Sequence, residues 1–399
     1  MLGLVQNWFG PRCNPIGVDF GSDCLRLAQV QWVENDWRLL AAASENVPKA
    51  AREDPAARAA FFTQSMRDLL LTGGFHGRAV VLGLPASGTY IQHIRMARLD
   101  EEETKKALRW EARGKLPIDP SGAVLRHIIA GEVYTDAEPR NEVIVFAARN
   151  ETVADMLASA AKARLDVVGM NVEPVAILDC FTQVYRRKQD AKLTNFFIDI
   201  GLTGTRAMLA SGTQMLFARA IPIGGNEFNA AVAEELKMTV DQARVARIKA
   251  AQSSHSQSPN DRTALTPEAP APVALHEQVD AACQKPLAKL ADELNLCRRY
   301  NEATFSSKPV DRLVFIGGES RHRSICMSIA RRLGLAAQLG DPLCRMAKWS
   351  DIGIASGIDR RLPQPAWAVA IGLSMGQRSG TAASAPATAG EARSHDERA

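Results

Sequence analysis

Short apolar runs broken by polar, Gly- or Pro-containing turns dominate the first 85 positions. Ile16–Phe20, Leu25–Val33 and Trp37–Val47 predict three strands. The period then changes to that of a helix. Phe61, Phe62, Met66, Leu69 and Leu70 give one apolar face to a helix that Asp54 caps, Pro55 opens and Gly73-Gly74 ends. Ala79–Leu84 predicts a buried strand closed by Pro85. Next come a strand at Tyr90–Met96 and a charged helix over Glu101–Gly114, with Asp100 and Glu103 as a capping box. Strands follow at Ala123–Gly131 and Glu142–Ala148. Asn150 then caps a helix bearing Val153, Met156, Leu157, Ala160 and Ala161. This β-α-β-β-α order reads as a small inserted subdomain over 86–170, with Trp110 and Leu116 in its core. Val167–Val172 and a helix over Pro174–Tyr185 lead the chain back through 171–193.

From Thr194 the opening pattern returns. NFFIDIGLTGTRAML at Asn195–Leu209 echoes IGVDFGSDCLRLAQV at Ile16–Val30, and Asp199 stands 180 positions after Asp19. A hairpin carries Met215–Ile221, and Pro222-Ile223-Gly224-Gly225 feeds a helix through Leu236. Thr239 and Gln242 form a second capping box, opening a helix over Val240–Ala250. Residues 251–275 are rich in Ser, Pro and Ala and predict a flexible insertion. A helix over Val279–Tyr300 follows, then a buried strand over Val310–Ile316 leading into Gly317-Gly318-Glu319-Ser320. A helix with Ile325, Ile329 and Leu333 ends at Gly334, and Ala366–Met375 predicts a short buried helix. The organisation is therefore an arm (1–15), a first unit (16–85), the inserted block (86–170), a return (171–193), a second unit (194–376) and a disordered tail (377–399).

Composition narrows the function classes. Apolar content of 46% and charged content of 23% over 399 residues belong to a globular chain with room for two cores. A net charge of +4 without a basic run gives no reason to expect a nucleic-acid partner. No apolar stretch reaches the roughly 20 residues of a membrane span, and MLGLVQNWFGPRC lacks the plan of a secretory signal. The seven cysteines are scattered without a C-x-x-C pair, as for reduced thiols in a cytoplasmic protein. His93, His127 and His322 have no partners at metal-ligand spacing.

The candidate chemistry lies in the echoed turns. Each ends a strand on an acid, Asp19 or Asp199, and continues through Gly21 and Ser22 or through Gly201, Thr203, Gly204 and Thr205. Glycine lets backbone N–H groups approach an anion, and hydroxyls add donors. A neighbouring aspartate can hold a hydrated Mg²⁺. Gly224-Gly225 and Gly317-Gly318 are further glycine pairs beside helix starts, and such starts favour negative charge.

The ordered motifs D-F-G-S, D-I-G-x-T-x-T, P-I-G-G-x-E and F-I-G-G-E resemble those of the actin-like (actin, Hsp70 and sugar kinase) ATPase superfamily. Within it the chain is most similar to the PilM family of type IV pilus assembly, which is related to the cell-division protein FtsA. LDEEETKKALRWEARGKLPID, the Glu173-Pro174 step and IPIGGNEFNAAVAEELKMTVDQARVARIK carry that likeness. The resemblance implies an α/β fold of duplicated ribonuclease-H-like domains with an inserted subdomain of the type PilM and FtsA share. It implies ATP or ADP with Mg²⁺ in the interdomain cleft, held by Asp19, Gly21, Ser22, Arg26, Asp199, Gly201, Thr203, Gly204, Thr205, Gly224, Gly225, Arg247, Gly317, Gly318 and Glu319. Asp19 and Asp199 would take the metal, through water. It implies a scaffold more than an ATPase, cytoplasmic and peripheral to the inner membrane. The cytoplasmic N-terminal peptide of PilN would lie between 16–85 and 86–170, with PilO and PilP reached indirectly and pilus motor ATPases and self-association as further contacts. A small-molecule kinase and an FtsA-like filament protein are the alternatives. No segment obviously supplies the kinase's catalytic aspartate, and the tail has no amphipathic stripe. Several positions depart from the family pattern, among them Arg247 at a lysine position and Arg323-Ser324-Ile325 in place of Pro-Gly-Leu. Asp23 replaces a hydroxyl residue, Arg26 a lysine, Arg244 an acid expected at the ribose, and Glu319 a glycine.

Overall fold

Strands β1 (Ile16–Phe20), β2 (Cys24–Val33) and β3 (Asp36–Asn46) precede helices α1 (Lys49–Glu53) and α2 (Pro55–Thr72) and strand β4 (Ala79–Leu84). The inserted block holds β5 (Thr89–Ala97), α3 (Glu101–Glu111), β6 (Ala123–Thr135), β7 (Glu138–Arg149) and α4 (Asn150–Lys162). β8 (Asp166–Val172) and α5 (Glu173–Val184) lead to β9 (Thr194–Ile200), β10 (Thr205–Ser211) and β11 (Gln214–Ile221). Helices α6 (Gly225–Glu235), α7 (Val240–Ser256), α8 (Leu275–Ala282) and α9 (Gln284–Thr304) follow. β12 (Arg312–Ile316), α10 (Arg323–Leu333), β13 (Ala337–Leu339) and α11 (Ala368–Met375) complete the order. The computed structural model describes residues 13–135, 138–256, 275–346, 356–359 and 361–376. Most of the expected arm, the stretch 257–274 and the expected tail lie outside the described residues.

Two five-stranded sheets share one plan, β3-β2-β1-β4-β8 and β11-β10-β9-β12-β13. In each, three antiparallel strands come first and two parallel strands extend the other side. The parallel pairs need crossovers, which helices supply. Helices α2 and α4 cover one face of the first sheet, where Phe62, Met66 and Ala160 pack on Ile16, Val18 and Leu25. On the other side α11 contacts β1, β2 and α5. Gly372 allows the close pass between α11 and α5, because a Cβ there would overlap the Ala176 carbonyl. The third sheet, β5-β7-β6, is buried on both faces along β7. Val143, Val145 and Ala147 meet α3, while Ile144 and Phe146 join the central core, as a period of two requires.

A buried polar knot joins the third sheet to the second unit. The fully buried Glu142 side chain accepts from His93 Nδ1 (3.0 Å), Arg95 Nε (3.2 Å) and Tyr300 OH of α9 (2.6 Å). His93 stacks on Phe217 of β11 at 4.7 Å, and its Nε2 accepts from the Ala218 N–H at 3.4 Å. A proton on Nδ1 serves the Glu142 bond, and Nε2 also lies 3.2 Å from the Ala218 carbonyl oxygen.

Several local expectations change. Asn150 is the first residue of α4, whose N-cap is Arg149 with no side-chain bond. α3 buries Thr104, Leu108 and Ala112 at four-residue spacing, so Trp110 projects outward, 74% exposed under the Arg113 guanidinium. Leu116 does enter the core. α7 continues to Ser256, into the stretch expected to be an insertion. The helix expected over Val279–Tyr300 is two helices parted at Cys283, because the Pro286 ring opposes the carbonyl four residues back at Ala282. Among the described residues no helix is long and apolar enough to cross a membrane.

Candidate functional site

The two sheets meet at a cleft of about 380 Å³. The β1–β2 turn enters from one side, and the β9–β10 turn and the segment after β12 from the other. α7 closes one wall and Glu173, opening α5, the floor. Asp19, Gly21, Ser22, Arg26, Asp199, Gly201, Arg247, Gly317, Gly318 and Glu319 all line it. Thr203 sits at the rim, with its Oγ1 3.2 Å from Ser22 Oγ across the cleft. Gly204, Thr205, Gly224 and Gly225 lie behind the lining. The Gly204 carbonyl accepts from the Gly201 N–H (2.9 Å), and the Gly225 N–H donates to the Gly201 carbonyl (3.0 Å). Buried Thr205 donates to the Ile223 carbonyl (2.7 Å), and Glu227 accepts the Gly224 N–H (2.7 Å). These bonds shape the turn.

The echo extends to charge. The antiparallel register sets Asp19 opposite Arg26 and Asp199 opposite Arg206. The ion pairs are nearly equal, 4.0 Å for Arg26–Asp19 and 3.9 Å for Arg206–Asp199. Arg206 also grips Glu173 through two guanidinium nitrogens, a bidentate contact. Burial pushes the Asp19 carboxyl up to about 6, with Arg26 pulling it down and Asp199 pushing it further up. Burial raises Asp199 and Glu173 as well, against the pull of Arg206. The structure keeps Asp199 close to the backbone of the third glycine turn. Gly317 has φ 87°, and a Cβ there would strike Asp199.

Two of the unusual residues, Asp23 and Arg244, explain each other, and Glu319 finds its partner in Arg247. Asp23 accepts from Arg52 Nη1 (3.0 Å) and, across the cleft, from Arg244 Nη2 (2.6 and 2.8 Å). Lys49 and Asp241 add a second bridge between the same two walls at 3.0 Å. Glu319 accepts from buried Arg247 Nη2 at 2.5 Å, and Arg247 Nη1 donates to Asn229 (2.8 Å) and the Gly225 carbonyl (3.2 Å). His322 stands 3.6 Å from Glu319, and burial, with Arg247 beside it, lowers its pKa to about 4, leaving it neutral.

Glu173, Arg206, Arg321 and His322 also line the cleft and are not among the site residues expected from the sequence. A signal existed for Arg206. Asp19 and Arg26, and Asp199 and Arg206, share one spacing of seven positions. Glu173 gave no such sign, since the chain fold alone brings it to Arg206.

The donor set fits a nucleotide at its phosphate end. Two hydroxyls, the Gly21 and Gly201 turns and Arg26 converge there, and Asp19 and Asp199 are suited to a hydrated Mg²⁺. At the other end the Glu319 carboxylate lies against Gly225, in the place a Cβ of residue 225 would take, and narrows the ground left for a base.

A family profile described as "Type IV pilus assembly protein PilM" matches residues 17–261. Among solved structures, one titled "PilM-PilN type IV pilus biogenesis complex" is similar with a TM-score of 0.72 at 23% identity, over 92% of this chain and 98% of that one. The ethanolamine utilization protein EutJ from Carboxydothermus hydrogenoformans is similar with a TM-score of 0.52 at 12% identity, over 92% and 90%. No curated protein sequence matches. The paired five-stranded units with an inserted sheet are the actin-like fold, the class expected from the sequence.

Proposed function

The chain belongs to the PilM family of type IV pilus assembly proteins, and from that premise we propose that it is an actin-like scaffold of the inner-membrane pilus assembly complex. Its task is to hold the cytoplasmic N-terminal peptide of a PilN partner. The observation that carries the reading is the extent of the family match. Residues 17–261 take in the first sheet, the whole inserted block and the cleft turns through α7. A fold shared over nearly the full length with a member of a PilM–PilN complex supports it. The peptide lies between 16–85 and 86–170. PilN then links the scaffold to PilO and PilP and keeps it at the cytoplasmic face of the inner membrane.

In this reading the cleft takes ATP or ADP. Ser22, Thr203 and Arg26 hold the phosphates, Asp19 and Asp199 hold Mg²⁺ through water, and the glycine pairs at 224 and 317 flank the base beside Arg247 and Glu319. Bound there, a nucleotide supplies negative charge that both units can grip. The chain's own part is positional. Arg206 fixes Glu173 and Asp199, and the Asp23–Arg244 and Lys49–Asp241 bridges hold the two walls together. Hydrolysis by such a scaffold is expected to be slow or absent.

The test is fluorescence anisotropy with a labelled PilN N-terminal peptide, with and without ATP and Mg²⁺, beside calorimetry of ATP binding to the wild type and Asp199→Ala. Saturable peptide binding is the expected result, and its absence in both conditions would sink the scaffold reading. Equal ATP isotherms for the two proteins would sink the cleft assignment alone.

A further inference from the structure

A second surface carries charge that the cleft does not use. Arg67 and Leu71 are one turn apart on α2, Arg78 precedes β4, and Lys162 and Arg164 stand at the end of α4. Arg67, Leu71, Arg78, Ala163 and Arg164 line one open hollow of about 330 Å³, and no acid is among them. Arg67 donates to the Lys162 carbonyl (2.7 Å) and Arg78 to the Arg164 carbonyl (3.4 Å). These bonds spread the two guanidiniums over the carbonyl end of α4 and leave both side chains exposed. Among the described residues, none of the four cations has an ion-pair partner. Asp68 neighbours Arg67 in the chain, but consecutive helical residues do not share a face, and Asp68 is held by Gln64 Nε2 at 3.0 and 3.1 Å. Asp166, the other near acid in the chain, is exposed and lies outside the hollow's lining.

Leu71 is 80% exposed, more than any other large apolar side chain among the described residues. Capping of α4 accounts for one bond from each of two arginines. It accounts for neither Lys162 and Arg164 nor a leucine left in water among cations. That combination suits the boundary between lipid headgroups and acyl chains, where cations meet phosphates and one apolar side chain dips below them. We propose that this face is a contact site for an anionic phospholipid surface, with Arg67, Arg78, Lys162 and Arg164 on headgroup phosphates and Leu71 directed into the acyl boundary. The hollow shares no residue with the cleft, and although its lining comes from both 16–85 and 86–170, the contact asks for neither PilN nor nucleotide.

The experiment is co-sedimentation of the purified full chain with vesicles of phosphatidylcholine alone or mixed with phosphatidylglycerol, at low salt and without PilN. The wild type is expected to pellet with the mixed vesicles only. One cation near such a surface changes partitioning about fivefold, so removing two lowers it about 25-fold and Leu71→Gln lowers it further. The variant Lys162→Gln, Arg164→Asn, Leu71→Gln spares both capping bonds, whose acceptors are backbone. Asparagine also tolerates the left-handed φ of 56° at position 164. Its melting curve should match the wild type. Arg331→Gln with Arg332→Gln, two exposed residues of α10, removes the same charge elsewhere and should leave binding near wild type. Wild type left in the supernatant with anionic vesicles, or an equal loss in the α10 variant, overturns the proposal. Retention on heparin without vesicle binding would also overturn it, in favour of an acidic macromolecule.

Discussion

Replacing Glu142 with Gln tests how the third sheet is attached. The side chain has no exposure and takes three donors, from β5 (His93, Arg95) and from α9 (Tyr300). The substitution keeps the shape, removes the charge and turns one acceptor oxygen into a donor. Hydrogen bonds to a charged group are worth about 1.5–3 kcal/mol against about 0.5–1.5 for neutral ones. The short Tyr300 bond and the His93 bond therefore each weaken by about 1 kcal/mol. Arg95 is 45% exposed and can turn to water, so its share is about 0.5 kcal/mol. The expected destabilisation is about 2–3 kcal/mol, within the range for disturbing a buried charged network. Denaturant unfolding measures it, and hydrogen exchange should quicken first in β5 and β7. Glu142→Gln and Tyr300→Phe should couple by about 1 kcal/mol in a double-mutant cycle. A loss under about 0.5 kcal/mol, or strict additivity, would refute the account. Burial raises the Glu142 pKa, but the bonds from His93 and Tyr300 outweigh it and the net shift is downward. A lowered acid contributes stability above its unfolded value that is lost as pH falls through the folded value. The cost of the substitution should shrink in strong acid.

Other perturbations separate the remaining ideas. Asp19 is raised from 3.8 to about 6, so its folded form prefers the proton, and its contribution to stability is lost as pH rises through about 6. Between about pH 7.5 and about pH 5 the wild type should gain about 1 kcal/mol relative to Asp19→Asn, and a flat difference would contradict the burial assigned to Asp19. Asp23→Arg should loosen the cleft, read as a greater distance between spin labels on α1 and α7, and adding Arg244→Asp should restore it; no rescue would show that the pair holds nothing. Gly372→Val sets a side chain into the Ala176 carbonyl and should cost about 3 kcal/mol or more in thermal unfolding, whereas a neutral result would mean that α5 and α11 part easily.

Local signals were legible wherever neighbours in the chain decide the structure. The Asp100–Glu103 capping box forms as the spacing required, and so does the box at Thr239 and Gln242. The echo of Asp19 in Asp199 showed the duplication because one strand-turn-strand unit is local. What escaped depends on contacts distant in sequence. Read alone, Asp23 and Arg244 are two separate departures, one at the phosphate loop and one at the ribose. In the folded chain, 221 positions apart, they neutralise each other. The outward side of Trp110 is set by which face of α3 meets the third sheet, and a short charged helix does not announce that face. Glu173 becomes a cleft residue only because α5 starts beside Arg206.

The knot at Glu142 has a mechanical consequence. The third sheet is covalently continuous with the first unit, through the step from β4 to β5 and through α4 and β8. It is bolted by hydrogen bonds to α9 and β11 of the second. A body fixed at both ends behaves as a connecting rod. Any swing between the two units has to bend the chain at the rod's ends, near Pro85–Gly88 and where β7 passes into α4 at Arg149–Asn150, because α4 packs with the first unit. A ligand wedged between the rod and the first unit and a ligand squeezed in the cleft would then load one linkage, each sensing the other as torque and not as shape.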